Sequence, residues 1–387
     1  MGYLKKTILL LRDFYPDVER KFILRMSESG WNFSLVKKIA NDFNLDLQRA
    51  LSDYLENFGL NVIDVIVSSE EFQKKWEETF FPKADNFLSK ILKDIKPSSK
   101  IGFFSKENFY SILAKQIAYY KPDVVLVIPY TEVNHYFFSK LKKIFSFKLV
   151  GYSNATSFHF DQQILSYDFV FSPFAPHVFK LRYFGVKAEY IPLAFEPRIL
   201  DKLREEKSYF GEQRDKIYDI VFAGSFHQVH RSRITFLKKI AYAFGDSFHI
   251  WSQSHSSLPS DLRRNFRGSA FNIDYYYIIS RSKIVLNHHG SILPWAHNMR
   301  LFETTGLGSF LLTDNLPGID ELFEVGKEVE TYNNADDCID KIKYYLSNED
   351  EREKIAKAGH KRALNEHTYE KRIEKLFDLF LKFGILN

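Results

Sequence analysis

Lys121-Pro122-Asp123 leads into Val124-Val125-Leu126-Val127-Ile128, five apolar residues with no polar position among them. A strand that is apolar on both faces has to be covered on both faces, which in practice means a parallel sheet with helices above and below it. Parallel neighbours cannot be joined by tight turns, so each strand needs a crossover of roughly a dozen residues or more, usually a helix. The remainder of the chain meets that requirement. Ile8–Leu11 and Val62–Val67 read as strands, separated by a helix on which Leu47, Ala50, Leu51, Tyr54, Leu55 and Phe58 recur at helical spacing and which Gly59 stops. Further strands are expected at 148–152, 168–172 and 188–191, with helices near 135–145 and 175–184. Residues 70–120 read as an inserted, largely helical layer, with Trp76, Phe80, Phe87, Leu88, Ile91 and Leu92 buried and a break at Pro97.

The apolar pattern lapses over 201–217, where Glu205-Glu206-Lys207 and Gly211-Glu212-Gln213-Arg214-Asp215-Lys216 read as a linker. A second cycle then begins. Strands are expected at 218–223, 248–251, 283–287, 309–313 and near Val329, with helices at 231–244, 272–281 and 298–306 between them. Three helices close the chain at 335–347, 349–365 and 369–383. A length of 387 residues favours two cores over one. The expected organisation is therefore an α/β protein of two doubly wound domains, 1–200 and 218–368, with ligands bound in a cleft between them. The last helix, 369–387, presents Ile373, Leu376, Phe377, Leu379, Phe380 and Phe383 and is expected to return to the first domain.

Composition narrows the setting. Aromatic residues make up 17% of the chain, yet no window holds about eighteen uncharged apolar residues, as a membrane span requires. The first apolar run is cut short by Arg12 and Asp13, too soon for a signal peptide. A single cysteine, Cys338, excludes an internal disulfide and a cysteine zinc site, so the cytoplasm is the expected compartment. The net charge of +5, from 54 basic and 49 acidic residues, is too balanced for a nucleic-acid partner without a concentrated patch. Lys90 to Lys100 reads as a solvated helix face. Weak docking to anionic lipid at the inner face of a membrane is its lesser reading.

Two stretches carry chemistry. Phe222-Ala223-Gly224-Ser225-Phe226 ends a strand, and His227, His230, Arg231 and Arg233 follow it into a helix. A small-residue turn leaves amides open, a helix start favours anions and arginine holds phosphate through two hydrogen bonds, so a diphosphate fits here. A tight turn beside a solvated helix start is the structural alternative. In the second stretch, Asn298 to Asp314, Glu303 can accept hydrogen bonds from two adjacent hydroxyls, as on a ribose, and Asn298 and Arg300 can contact sugar or phosphate. Gly306 and Gly308 would let a ligand approach the backbone. A surface ion pair between Arg300 and Glu303 explains the same spacing. His288, His289 and His297 lack the ligand spacing of a metal site. In the first domain Arg12, Asp13, Glu132, Ser153, Asn154, His159 and Asp161 follow strands and can touch an acceptor. Of these, Asp13, Glu132, His159 and Asp161 are candidate general bases, and each is equally a cap or loop hydrogen-bonder.

The run Asn298-x-Arg300-x-Phe302-Glu303-x-x-Gly306-x-Gly308-x-Phe310-Leu311-Leu312 is followed by Leu322-Phe323, Gly326, Glu328 and Tyr332. The tail adds Arg352, Ala356, Gly359 and Thr368-Tyr369. Together with Tyr218 to Ser225, these residues resemble the CgeB-type, spore-maturation glycosyltransferase-like family, related to the family 4 glycosyltransferases. The likeness spans about 218–372 and is looser before. It implies a GT-B-like fold of two Rossmann-like domains facing a cleft, with a nucleotide-diphosphate sugar held mainly by the second. It also implies transfer to an acceptor, expected to be a glycan, lipid-linked or protein one, with retention; the expected mechanism needs no metal or other cofactor, since arginines at the diphosphate supply the positive charge. By similarity Glu303 matches the second glutamate of a two-glutamate motif and binds the donor ribose, while Trp295 stands where the first would be. Asn154 likewise stands where relatives often carry an acidic residue. The expected donor contacts are Gly224, Ser225, His230, Asn298, Arg300, Glu303 and Gly306. Arg231 and Arg233 are expected to stabilise the leaving diphosphate, and His159 and Asp161 to serve in catalysis. A nucleotide-sugar isomerase and a non-catalytic nucleotide- or sugar-binding protein are the alternatives on this scaffold.

Overall fold

The computed structural model describes residues 5–14, 16–43, 46–81, 107–128, 135–153, 162–210, 216–226, 231–252, 258–289 and 294–386. The chain forms two compact units, Met1–Pro192 with Ile373–Asn387, and Leu193–Arg372.

The first unit is built on β1 (Thr7–Arg12), β2 (Asn61–Ile66), β3 (Val124–Val127), β4 (Lys148–Tyr152), β5 (Phe169–Ser172) and β6 (Ala188–Tyr190). They pair in the order β2-β1-β3-β4-β5-β6, every pair parallel. All of β3 is buried, as a strand apolar on both faces requires. Leu9, Leu11, Val125, Val127 and Val170 meet Phe137, Phe138 and Leu181 from flanking helices in one core. Arg12, a candidate acceptor contact by position, is fully buried instead. Its Nη1 donates to Asp64 Oδ1 at 3.0 Å and Asn41 Oδ1 at 2.8 Å, and Ser52 donates to Asp64 Oδ2 at 2.6 Å. Its charge is compensated inside the unit.

The second unit holds β7 (Tyr218–Ala223), β8 (Phe248–Trp251), β9 (Phe266–Gly268), β10 (Ser282–Asn287), β11 (Phe310–Asp314) and β12 (Glu330–Tyr332). The order is β12-β11-β10-β7-β8-β9, again parallel throughout. β9 has no counterpart in the sequence reading, because three residues centred on Arg267 leave no hydrophobic pattern to detect.

Two expectations need correction. The stretch expected to be a linker is helical over Arg198–Phe210. Asp201, Arg204 and Glu205 are exposed, with Arg204 donating to Asp201 at 2.7 Å, while Ile199 is buried, so the weak apolar pattern belongs to a half-covered helix rather than a coil. The first unit ends at Pro192, and Leu193 onward belongs to the second, where Phe195 exchanges backbone bonds with His367 and Tyr369 at 2.8 and 3.0 Å. The inserted layer is seen as helices Glu70–Phe80 and Glu107–Tyr120, and its centre, including Phe87 to Pro97 and the lysine run, lies outside the described residues. The final helix, Tyr369–Lys382, starts in the second unit and joins the first from Ile373. There Phe377 stacks on Phe58 at 4.2 Å, and Phe383 on Phe169 at 5.2 Å.

Gly306, expected to admit a ligand, ends the helix Met299–Gly306 against the buried ring of Phe195, which occupies the space a Cβ would need. Gly306→Ala gains helix propensity of about 1 kcal/mol but forces that ring to move. The expected outcome is a net loss of about 1–3 kcal/mol in denaturant unfolding, with no ligand present.

Candidate functional site

Because the second sheet is parallel, β7, β10 and β11 all end at one edge, and the helix Met299–Gly306 starts beside them. Asn298, at the N-cap, does not cap the helix with its side chain. Its Nδ2 donates to Asn287 Oδ1 at 2.7 Å, and Asn287 Nδ2 returns a bond to Asn298 Oδ1 at 3.2 Å. Asn287 Oδ1 also accepts from Arg300 Nη1 at 2.7 Å, and its Nδ2 donates to Thr313 Oγ1 at 3.0 Å. Arg300 donates through Nη2 to the Ala223 carbonyl. One buried amide thus ties β10, β11 and the helix start together, and Arg300 extends the tie to β7.

Arg233 lies beside this network, 5% exposed. Its Nε and Nη2 donate to the His288 carbonyl at 3.2 and 2.7 Å, and its Nη1 to the Ser225 carbonyl at 2.9 Å. Both guanidinium groups lie over the Phe222 ring, Arg233 at 5.4 Å and Arg300 at 5.1 Å. Both are held by neutral oxygens. Burial, reinforced by the charge of Arg300, pulls the Arg233 pKa from 12.5 down to about 9. A guanidinium has five donors, so each arginine keeps N–H groups beyond those engaged. Gly224 makes room for this arrangement, since a Cβ there would lie 2.9 Å from Arg300 Nη2 and 3.1 Å from the Phe222 ring.

Glu303 is 8% exposed and makes no ion pair with Arg300. Its Oε2 accepts from the Tyr275 hydroxyl at 2.7 Å. Burial raises its carboxyl pKa, opposed by the Tyr275 bond and the positive charge of Arg300. Tyr275 escaped the sequence reading, although the run Tyr275-Tyr276-Tyr277 near a helix start was its available signal.

The histidines are engaged by other groups. The Tyr332 hydroxyl donates to the Asn287 carbonyl at 2.7 Å, so His288 Nδ1, 3.0 Å from the Tyr332 hydroxyl oxygen, donates to that oxygen. His288 and Tyr332 each stack on Phe236, at 4.6 and 4.9 Å, and burial lowers the His288 pKa. His289 Nδ1 donates to Asp314 Oδ1 at 2.6 Å, and its Nε2 accepts from the His297 backbone N–H at 3.3 Å. Among the described residues no three His, Cys, Asp or Glu side chains gather as metal ligands. Trp295 packs its indole on the turn at Gly318, where φ is +89° and a Cβ would lie 2.7 Å from the ring. Arg231 opens the helix Arg231–Phe244, while His230, His159, Asp161, Glu132 and Asn154 lie outside the described residues. Arg233, Arg300, Asn298, Ser225 and Gly224 are brought together, with Glu303 one turn further along the helix from Arg300.

Residues 231–378 match the model of a glycosyl transferase-like family. No curated protein matches the sequence. Among solved structures, a glycosyltransferase from Rickettsia africae ESF-5 is 14% identical, with a TM-score of 0.63, covering 98% of this chain and 99% of that one. Anabaena HepE in complex with UDP-glucose is 10% identical, with a TM-score of 0.61 over 97% of this chain and 99% of its own. The UDP-GlcNAc 2-epimerase of Neisseria meningitidis, bound to UDP-GlcNAc, is 13% identical, with a TM-score of 0.55 over 97% and 100%. The likenesses to solved structures establish the GT-B fold. No helix among the described residues is long and apolar enough to cross a membrane.

Asp314 gives this edge a pH signature. Burial alone would raise its pKa, but the hydrogen bonds from the His289 ring and backbone hold it below the usual 3.8. A depressed carboxylate stabilises the fold above its unfolded pKa and loses that contribution as pH falls through the folded value. Asp314→Asn is expected to cost about 1.5–3 kcal/mol at pH 7. Urea melts should show the gap to wild type narrowing only below pH of about 4.

Proposed function

We propose that this protein is a glycosyltransferase of the CgeB-type group, moving a hexose from a nucleotide-diphosphate sugar to a glycan, lipid-linked or protein acceptor. The observation that carries the reading is the pair of neighbouring guanidinium groups, Arg233 and Arg300, held by carbonyl and amide oxygens at one sheet edge. Two like charges in a buried setting repel, and a dianionic diphosphate would relieve that repulsion through the remaining N–H groups. As the bond from sugar to diphosphate breaks, negative charge grows on the leaving oxygens. Donors fixed beforehand stabilise that charge without reorganisation. The step needs no metal on this reading, because Arg233 and Arg300 would supply the positive charge, joined by Arg231 and His230, which precede Arg233 in the sequence.

Glu303 would take the ribose hydroxyls, joined by Tyr275, which already touches the carboxylate. With Trp295 in the place of the first glutamate, sugar contacts would come from other groups. His159 and Asp161 are the candidates from the first unit, and retention of configuration is the proposed outcome. The match of 231–378 to a glycosyl transferase-like model and the UDP-glucose complex of a neighbour with the same fold support this reading.

The test is incubation with a panel of nucleotide sugars, following release of nucleoside diphosphate and any sugar product. Release is expected with at least one donor, rising when the right acceptor is added. Glu303→Gln and Arg233→Met are each expected to weaken nucleotide binding by about 10- to 150-fold, the size of a lost charged hydrogen bond. Their melting curves serve as the folding control. A sugar isomer formed without acceptor would replace transfer by isomerisation, and binding without any turnover would make the protein a non-catalytic binder.

A further inference from the structure

We propose that the amino edge of the first unit's sheet docks on an anionic lipid bilayer. In a parallel sheet every strand starts at the same edge, opposite the carboxyl edge where α/β sheets take their ligands. Three neighbouring strands of this sheet, β4, β5 and β6, are each entered through a segment that exposes a large apolar side chain. Ile144 before β4 is 40% exposed, Leu165 before β5 is 50%, and Tyr183 before β6 is 85%. Adjacent strands lie about 4.8 Å apart, so the three entrances follow one another in a row along that edge, and we take their exposed side chains as one strip. Phe179, 68% exposed and one turn before Tyr183 on the helix Ala175–Tyr183, extends it.

Charge decides what covers such a strip. Lys143, Lys148 and Lys187 are exposed at the same strand entrances. The nearby carboxylates are engaged, Asp168 by Lys142 at 2.6 Å and Lys148 at 3.5 Å, and Glu189 by Arg182 at 2.9 Å. The strip is therefore apolar with a positive surplus. A second copy of the same face would bring like charges together, whereas an anionic headgroup layer over an acyl region complements both features. Tyrosine and phenylalanine suit that boundary, and lysine stems reach the headgroups. The docked face would leave the carboxyl edge open, and the proposal stands independently of the reaction assigned above.

The test is cosedimentation of the full chain with vesicles of phosphatidylcholine alone, or carrying about one third phosphatidylglycerol. Binding is expected only to the anionic vesicles, weakening as salt is raised. The double variants Leu165→Ser/Tyr183→Ser and Lys143→Ala/Lys187→Ala should each bind at least about fivefold less while melting as wild type does. Absence of binding, equal binding to both vesicle types, or variants that bind like wild type would each overturn the proposal. Self-association in sedimentation velocity that the same variants abolish would overturn it too, assigning the face to a second copy.

Discussion

Asn287 is the residue on which the carboxyl edge of the second unit's sheet depends. Each atom of its buried amide is engaged, the oxygen with Arg300 and Asn298, the nitrogen with Thr313 and Asn298. A buried amide left without partners costs free energy of the order of kilocalories per mole, so this set forms together or not at all. The constraint reaches further than its own bonds. It fixes the helix start that presents Arg300, and Arg300 in turn reaches Ala223, whose neighbour Gly224 must lack a Cβ. Arg233 closes the other side by linking the carbonyls of Ser225 and His288.

The electrostatic consequence follows from burial. Two arginines lie over the ring of Phe222, and Arg233 is destabilised as a cation by desolvation and by its neighbour. Glu303 lies in the opposite condition, a buried carboxyl whose charged form is disfavoured, eased by Tyr275 and Arg300. Such paired strain in a folded edge is what a charged, hydroxyl-bearing ligand relieves. On the proposed reading the diphosphate meets the arginines and the ribose meets Glu303, a division that the chemistry of each group favours.

How far this was legible in the sequence depended on whether the signal was local. Runs apolar on both faces, such as Val124–Val127, announce parallel strands, and eleven of the strand positions followed from them or from alternation with helices. β9 was missed because its three residues, centred on the exposed Arg267, carry no hydrophobic pattern of their own. The helix Arg198–Phe210 was mistaken for a linker because only one side of it is covered. In the site, Arg233, Arg300, Asn298 and Glu303 could be named from residue type and position beside strand ends. The roles of Asn287 and Tyr332 could not, since they rest on which strands and helices become neighbours. Gly306 was misread for the same reason, its partner Phe195 lying far away in sequence.

The proposed function rests on Arg233 and Arg300 as the diphosphate-binding corner. The most direct measurement is a crystal structure of the protein soaked with uridine or guanosine diphosphate at saturating concentration. Phosphate oxygens are expected at about 2.7–2.9 Å from guanidinium nitrogens of both arginines, with the ribose turned toward Glu303. A nucleotide bound elsewhere, or that corner empty at saturation, would contradict it.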